Sequence, residues 1–246
     1  MSAVQPNVLW ISASPSFGRF DRPLIRYLSH QTSVAQWEYF QNPDEPSCLE
    51  IPLVLLHDYL KSCSKPIHLI GHGVSGLLAL LYARQHPERV KSLTLLAVGV
   101  QPAIDWQSHY YAMCHLLPCT RQVILAKMVR SLFGHQEKYS TQALIGLLEQ
   151  DLNTSPSPHS LYQQTSIPSA QVSVPLLVCG SKDDLIIDPT ALEGWQAFLK
   201  ESDRIWECPS GHHFFHYYQP QLVGRQILKF WQSRSPEPNI LEVPAH

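Results

Sequence analysis

The chain has 246 residues, of which 44% are apolar and 15% are charged, and its formal net charge is −2. This composition is typical of a globular protein, and the length suits one α/β domain with an inserted lobe. The sequence shows no basic stripe, so we expect neither nucleic acid nor an acidic membrane surface as a partner.

The cysteines and the apolar runs indicate the cellular compartment in which the protein is located. The six cysteines form no C-x-x-C pair and mostly lie in apolar runs, which predicts free, buried thiols in a reducing environment. The first apolar run, residues 8–11, is too short for a signal peptide and has no basic leader. No run approaches the roughly 20 apolar residues of a membrane span. We therefore predict a cytoplasmic protein with no membrane span.

Strands and helices alternate over the first hundred residues. Apolar runs and alternating patterns predict strands at residues 8–11, 36–40, 66–70 and 90–98. Helical spacing predicts helices at residues 23–29, 51–62 and 77–85, and the last of these is almost wholly apolar. This order predicts a parallel sheet with right-handed crossovers.

The alternation stops near residue 101, and residues 101–170 contain no convincing strand. Helices are predicted at residues 120–133 and 141–152, each opened by a threonine that can cap it. The aromatic side chains of this insertion either line an apolar pocket or dock the insertion on the sheet; they are Trp106, Tyr110, Tyr111 and Phe133.

The sheet resumes after the insertion. Strands are predicted at residues 174–180 and 204–208, and helices at residues 191–200 and 220–231, with Pro220 in the first turn of the last helix. We therefore assign residues 1–100 and 171–246 to an α/β core and residues 101–170 to a helical insertion.

Four segments occur in a characteristic order. They are Gly71-His72-Gly73-Val74-Ser75-Gly76, His86-Pro87-Glu88-Arg89-Val90, Gly180-Ser181-Lys182-Asp183 and Gly211-His212. Together they resemble the nucleophile elbow, the helix break, the acid loop and the histidine loop of the α/β-hydrolase superfamily. The resemblance implies an α/β-hydrolase fold: a mostly parallel central sheet flanked by helices, with the insertion as a cap or lid.

The resemblance also assigns the site. It places Gly73 at the nucleophile position, Asp183 at the acid and His212 at the histidine, with Ser14 and Val74 in the oxyanion loop. Gly73 has no nucleophilic atom, so a working serine triad is not expected. A second departure is Ser12-Ala13, which stands where the family has His-Gly before the oxyanion amide.

The register of the acid and histidine stays open. Members of the superfamily often have a proline about seven residues after the histidine, and Pro220 lies seven residues after His213 but eight after His212. The preceding Gly211 favours His212. Asp184 is likewise the alternative to Asp183.

Other polar residues have simpler explanations. We expect Ser75 to be a small packing residue and His72 to be structural. The run His212-His213-x-x-His216 lacks an acidic or cysteine partner at ligand spacing, so we predict no metal. The run from Gly71 to Gly76 spells G-x-G-x-x-G, but no acidic residue ends a strand about 20 residues later, so we predict no dinucleotide and no other cofactor.

Three functions fit this pattern. The first is a ligand-binding or regulatory pseudoenzyme with a small apolar ligand between insertion and sheet. The second is an enzyme with altered chemistry, a hydrolase or a lyase, in which His212 and Asp183 act as a general base. The third is an interaction protein with a protein partner. Because Ser12-Ala13 alters the first loop, we expect Gly73→Ser to restore little or no esterase activity.

Overall fold

A six-stranded parallel sheet forms the centre of the molecule. The computed structural model describes residues 5–42, 44, 47–162 and 164–233. The strands are β1 (Val8–Ser12), β2 (Val34–Glu38), β3 (Ile67–His72), β4 (Val90–Leu96), β5 (Leu176–Ser181) and β6 (Arg204–Cys208). Their order is β2-β1-β3-β4-β5-β6, and every pairing is parallel. The predicted α/β class with a parallel sheet is confirmed.

Helices cover both faces of this sheet. They are α1 (Gly18–Ser29), α2 (Glu50–Leu60), α3 (Val74–Gln85), α4 (Trp106–Leu116), α5 (Arg121–Phe133), α6 (Lys138–Thr154), α7 (Pro189–Glu193), α8 (Phe215–Tyr218) and α9 (Pro220–Gln232). β1, β3 and β5 are buried along their whole length, as strands covered on both faces must be. The apolar sequence of α3 is explained in the same way, because nine of its residues are buried.

Several boundaries differ from the sequence prediction. α1 begins at Gly18 rather than at residue 23, and it contains Pro23 near its start. β2 lies two residues earlier than predicted. The helix predicted at residues 191–200 is the short α7 followed by a 3-10 helix, Gly194–Phe198. The last thirteen residues of the assigned core, 234–246, lie outside the described residues.

The segment between β4 and β5 is helical throughout its described regular structure and holds α4, α5 and α6. The sequence reading missed α4, which opens with a capping box between Asp105 and Ser108. Thr120 is the N-cap residue of α5, as predicted, whereas the predicted cap at Thr141 is wrong. Thr120 precedes α5 but its side chain makes no cap hydrogen bond, and Thr141 lies inside α6, whose N-cap residue is Glu137.

Aromatic rings dock this insertion on the core. Trp106, Tyr110 and Phe133 are buried in the same hydrophobic cluster as the sheet residues Val8 and Trp10. The Phe133 ring stacks on Phe214 with centroids 4.6 Å apart, and Phe17 meets Trp106 edge-on at 6.1 Å. Of the two expected roles for these aromatics, docking is the one that the packing supports.

The cysteines are all free, as predicted, but only Cys179 and Cys208 are buried. No helix in the described ranges is long and apolar enough to cross a membrane.

Truncation of Phe133 should loosen the insertion. Because this ring is 3% exposed and stacked on Phe214, we expect Phe133→Ala to lower the free energy of unfolding by about 3–5 kcal/mol. Val123 on the same helix is 45% exposed, so Val123→Ala should cost less than about 1 kcal/mol. Urea denaturation of both variants measures the difference, and equal losses would contradict this account of the docking.

Candidate functional site

Gly73 is the single residue between β3 and α3. Its φ is +52° and its ψ is −125°, a backbone conformation that side-chain-bearing L residues adopt only with strain. The Gly73 N–H donates to Leu96 O at 3.0 Å, and its carbonyl accepts from Leu77 N at 2.9 Å. A Cβ built on Gly73 would have one heavy atom within 4 Å, His213 Nε2 at 3.9 Å. The turn therefore has room for a side chain and carries none.

The glycines on either side let the strand and helix touch. A Cβ on Gly71 would lie 2.5 Å from the carbonyl oxygen of Ser75, and a Cβ on Gly76 would lie 2.6 Å from Val98 Cγ2. Neither position can hold a larger residue without moving the backbone. β3 and α3 therefore cross in backbone contact.

Ser75 is more than a small packing residue. It is buried, and its Oγ accepts a hydrogen bond of 2.8 Å from the backbone N–H of Ala13. This bond ties the loop after β1 to the first turn of α3. Ser75 does not point to the space beside Gly73, so it is not a displaced nucleophile.

His213 and Asp184 form the pair that faces Gly73. His213 Nδ1 lies 3.0 Å from Asp184 Oδ2, and the two side chains are 2% and 0% exposed. Asp184 Oδ1 also accepts from the backbone N–H groups of Ile186 and Ile187, at 2.8 and 3.2 Å. The carboxylate is therefore fixed, Nδ1 carries the proton that it donates to Asp184, and Nε2 is directed toward Gly73.

The preferred assignment of His212 and Asp183 to this position is corrected by the geometry. The backbone N–H of His212 donates to Asp183 Oδ1 at 2.8 Å, and its Nδ1 lies 3.5 Å from Asp183 Oδ2. The His212 ring instead packs on Gly134, where a Cβ would clash with Nε2. Both side chains are about one third exposed. The spacing to Pro220, which favours His213, agrees with this geometry.

Asp183 stabilises the turn that presents the histidines. Desolvation raises the pKa of Asp183, but hydrogen bonds from Ser181 Oγ and from the amides of His212 and Gly211 outweigh it and lower the pKa overall. Those amides hold a turn in which Gly211 and His212 both have positive φ. The role of Asp183 in the structure is to fix the backbone just before His213.

A second buried acid–histidine pair lies behind the turn. His216 Nε2 is 3.0 Å from Asp21 Oδ1, and Asp21 Oδ2 accepts from Trp10 Nε1 at 3.0 Å. His72 lies between the two pairs. Its ring centroid is 4.5 Å from that of His216, and its Nε2 donates to the carbonyl oxygen of His213 at 2.9 Å.

Burial fixes the protonation of His72. Desolvation, helped by the neighbouring His216 and His213, lowers the pKa of His72 well below its ordinary value. His72 is therefore neutral and acts as a structural donor, as expected from the sequence. His212, His213 and His216 face three different carboxylates, so their side chains do not converge on one point.

The amides expected in the oxyanion loop are available. Within the described ranges, neither the Ser14 N–H nor the Val74 N–H donates to a protein acceptor. Ser14 follows Ala13, which Ser75 binds, and Val74 is the first residue of α3. Both amides thus belong to segments that meet at the start of α3.

The insertion adds two ionisable residues that the sequence reading did not single out. Asp105 is buried at the start of α4, and desolvation raises its pKa. Burial lowers the pKa of His109 on the same helix, while Asp105 acts in the opposite direction. Both residues interact electrostatically with His213. The Asp105-x-x-Ser108 capping pattern was the signal available for this helix.

A buried carboxylate links the insertion to Ser14. Asp151 accepts hydrogen bonds from Trp106 Nε1 at 3.0 Å and from Ser155 Oγ at 2.5 Å. Ser155 Oγ in turn lies 3.2 Å from Ser14 Oγ. Desolvation raises the pKa of Asp151 to about 7, and the hydrogen bonds only partly offset this.

A cavity of about 400 Å³ lies beside α4. Its lining combines aliphatic and polar side chains, among them Ile104, Ser108, His109, His159 and Thr165, and among the described residues it includes no Asp, Glu, Lys or Arg. His159 contributes no free nitrogen to it, because Nε2 faces Ala103 O and Nδ1 accepts from Thr165 N. His109 lines the cavity, and the neighbouring His213 contributes to the lowering of its pKa.

Comparisons with known proteins agree with this architecture. A family model for the alpha/beta hydrolase fold matches residues 62–138. An uncharacterized protein of Nostoc sp. is 47% identical over 232 residues, 94% of this chain and 93% of its own length. An uncharacterized protein of Synechocystis sp. is 47% identical over 92% of this chain and 90% of its own length. The structure of a thermophilic esterase aligns with a TM-score of 0.70 at 13% identity, covering 94% of this chain and 91% of that one. These similarities confirm the predicted α/β-hydrolase fold.

Asp151 should make stability depend on pH. Burial raises the pKa of Asp151 to about 7 in the folded protein, whereas an aspartate exposed in the unfolded chain has a pKa near 3.8. Between these values the folded state binds more protons, so its stability falls as pH rises, by about 2 kcal/mol from about pH 5 to about pH 7. We expect Asp151→Asn to remove this contribution, as measured by thermal unfolding at several pH values. The exposed Asp58→Asn is the control, and an unchanged pH slope in Asp151→Asn would contradict the assignment.

Proposed function

Because this chain has the α/β-hydrolase fold, we propose that it is a ligand-binding protein of that fold that has lost serine hydrolysis. The observation that carries the proposal is the geometry at Gly73. An acid–histidine pair is in place, its Nε2 is 3.9 Å from where a Cβ would be, and no nucleophile is attached there.

The chemistry explains why acyl transfer is not expected. A serine triad needs a hydroxyl that attacks the substrate, a histidine that takes its proton and an acid that orients the histidine. Loss of the serine alone costs about 10⁶-fold in rate in a serine protease. Ser75 does not replace it, since its Oγ is bonded to Ala13. What is left is a set of fixed polar groups that can bind a ligand without a covalent step.

The surroundings favour binding. The Ser14 and Val74 amides have no acceptor in the described part of the chain, and His109 lines the cavity beside α4. The Asp151 network connects the Ser14 loop to the insertion. A ligand at Gly73 would therefore contact groups whose positions depend on the insertion, which is a route to regulation.

Reintroducing serine should rebuild a reactive triad. In Gly73→Ser the Oγ, one bond beyond Cβ, can approach His213 Nε2, so we expect labelling by a fluorophosphonate probe. Wild type and Gly73→Ala should remain unlabelled, and the double variant with His213→Gln should lose the label. Mass spectrometry of the modified peptide measures this outcome.

Ester turnover by Gly73→Ser should stay low, since Ser12-Ala13 differs from the loop that working enzymes of this superfamily use. Labelling of the wild-type protein at any serine would refute the proposed loss of serine hydrolysis. Absence of labelling in a folded Gly73→Ser would instead show that the histidine is not available as a base.

A second candidate function is general-base catalysis, and the Asp184–His213 geometry is the observation that favours it. His213 Nε2 would accept a proton from water while the water oxygen forms a bond to an acyl carbon. The acyl–oxygen bond then breaks, and the proton passes to the leaving alkoxide. Asp184 would stabilise the imidazolium that forms in between.

Product release on a panel of esters, thioesters and lactones separates the two functions. General-base catalysis predicts that wild type exceeds His213→Gln by about 10²-fold or more. Equal rates would leave ligand binding as the function. His30→Gln, which alters an exposed histidine, is the matched control.

A further inference from the structure

We propose that the free edge of β2, together with one side of α2, binds a second copy of this chain. β2 is an edge strand of the sheet, and within the described residues it pairs with β1 alone. Strands that expose unpaired backbone groups can join edge to edge and satisfy those groups. Two copies joined in this way share one continuous sheet across a two-fold axis.

The register with β1 shows which backbone groups of β2 face outward. The N–H of Tyr39, just after β2, donates to the carbonyl oxygen of Ser12 at 2.9 Å, which fixes the phase of the parallel ladder. Alternate residues of a parallel strand bond to the same neighbour. Val34, Gln36 and Glu38 therefore direct both their N–H and their C=O groups away from β1. Among the described residues these groups have no hydrogen-bond partner.

The sequence of β2 is complementary to itself. In an antiparallel pairing centred on Gln36, the two copies of Gln36 lie opposite each other and Val34 lies opposite Glu38, so each outward N–H meets an outward C=O. On the other face of the sheet the small Ala35 lies opposite the large Trp37. No two charged side chains of the strand lie opposite each other. β2 also has no Pro, Lys or bulge of the kind that protects free edges.

An apolar stripe of α2 lies on the side of the helix that faces this edge. Ile51, Leu55 and Tyr59 are spaced four residues apart, so they lie along one side of α2, and we call them the α2 stripe. The opposite side carries His57, whose ring meets that of Tyr82 on α3 at a centroid distance of 6.1 Å. α3 packs on β3 and β4, which lie on the far side of β1 from β2. The α2 stripe is therefore directed toward the β2 edge.

The α2 stripe supplies the area that a strand edge lacks. Trp37 and Tyr59 pack against the same hydrophobic cluster, so strand and stripe share one face of the sheet. Stable interfaces bury about 1,200–2,000 Å² in total, more than a short strand provides. A two-fold axis at Gln36 brings the two stripes together, and Ile51 and Leu55, which are 38% and 46% exposed, add apolar area. A second copy thus matches the backbone groups, the side-chain sizes and the stripe at once.

Charge at position 36 tests the pairing. Sedimentation velocity at micromolar concentration should give wild type twice the 27.9 kDa mass of one chain. Gln36→Glu puts two carboxylates opposite each other and beside Glu38 of each copy, so the dissociation constant of the dimer should rise about tenfold. An equimolar mixture of Gln36→Glu with Gln36→Lys should restore the dimer, because opposite charges then meet. Gln31→Glu, in the exposed turn before β2, is the matched control.

A second pair of variants tests the α2 stripe. Leu55→Glu puts a charge into the interface and should weaken the dimer about tenfold or more. Val123→Glu, at a position on α5 that is 45% exposed, should not. Hydrogen exchange should find the amides of Val34, Gln36 and Glu38 protected in wild type and exchanging in Gln36→Glu. Thermal unfolding checks that each variant is folded.

Three results would overturn this inference. The first is a wild-type protein that stays monomeric at micromolar concentration. The second is a dimer that Gln36→Glu and Leu55→Glu leave unchanged, because its interface would lie elsewhere. The third is protection of the outward β2 amides in a monomer, which would mean that another segment of the same chain covers the edge. Labelling at position 73 plays no part in these measurements, so they are independent of the proposed function.

Discussion

The contact between β3 and α3 sets the geometry on which the site depends. With glycines at positions 71 and 76, the strand and the helix approach to backbone contact, and a Cβ on either would overlap its neighbour. Only Gly73 separates the two elements, so the chain must reverse within one residue at positive φ. Ser75 then uses the same close approach to bind the Ala13 amide. The first loop, the turn and the helix start are thus held together by short-range backbone contacts.

Buried acid–histidine pairs surround this contact. Asp184 with His213 lies on one side of the turn, and Asp21 with His216 lies behind it, with His72 between them. Burying charged groups is costly unless hydrogen bonds fix both partners. Here backbone amides bind Asp184, and Trp10 binds Asp21. The neutral His72 completes the arrangement by binding the backbone of His213.

The sequence predicts features that depend on local patterns. β6 was placed at its observed bounds, the start of α9 at Pro220 was correct, and the burial of α3 followed from its apolar sequence. These features reflect side-chain polarity and proline chemistry, which a single sequence displays directly. The helix α4 was missed because its aromatic side chains gave no clear period, although a capping box opens it.

The sequence predicts which loops carry the acid and the histidine of the site, but not which of two adjacent residues in each loop faces Gly73. Both the acid and the histidine occur as pairs of identical neighbours, and adjacent side chains point in different directions. Which member faces Gly73 depends on the turn at Gly211 and His212, where two positive φ values redirect the chain. Thr120 is the N-cap residue of α5 but makes no side-chain capping bond for a related reason, since a threonine caps a helix through its side chain only if the hydroxyl turns toward the first amides. The buried position of Asp151 could not be predicted from the sequence either, because it arises from the packing of α6 against Trp106.

Glycine at position 73 removes backbone strain from the turn, while the buried Asp184–His213 pair, which is costly to desolvate, remains. A side chain at this φ costs about 1–3 kcal/mol, so its absence makes the turn easier to form. The Asp184–His213 pair, in contrast, remains buried, and replacing such pairs with apolar residues is often neutral or stabilising. Structural roles explain the presence of Asp184 and the position of the His213 backbone. Asp184 accepts hydrogen bonds from two backbone amides, and the His213 carbonyl accepts one from His72. Those contacts account for Asp184 and for the His213 backbone but leave the His213 ring unexplained, because its Nε2 is directed at the space beside Gly73. Nε2 is therefore the atom of the pair that is left to interact with a ligand, and the proposed binding rests on it.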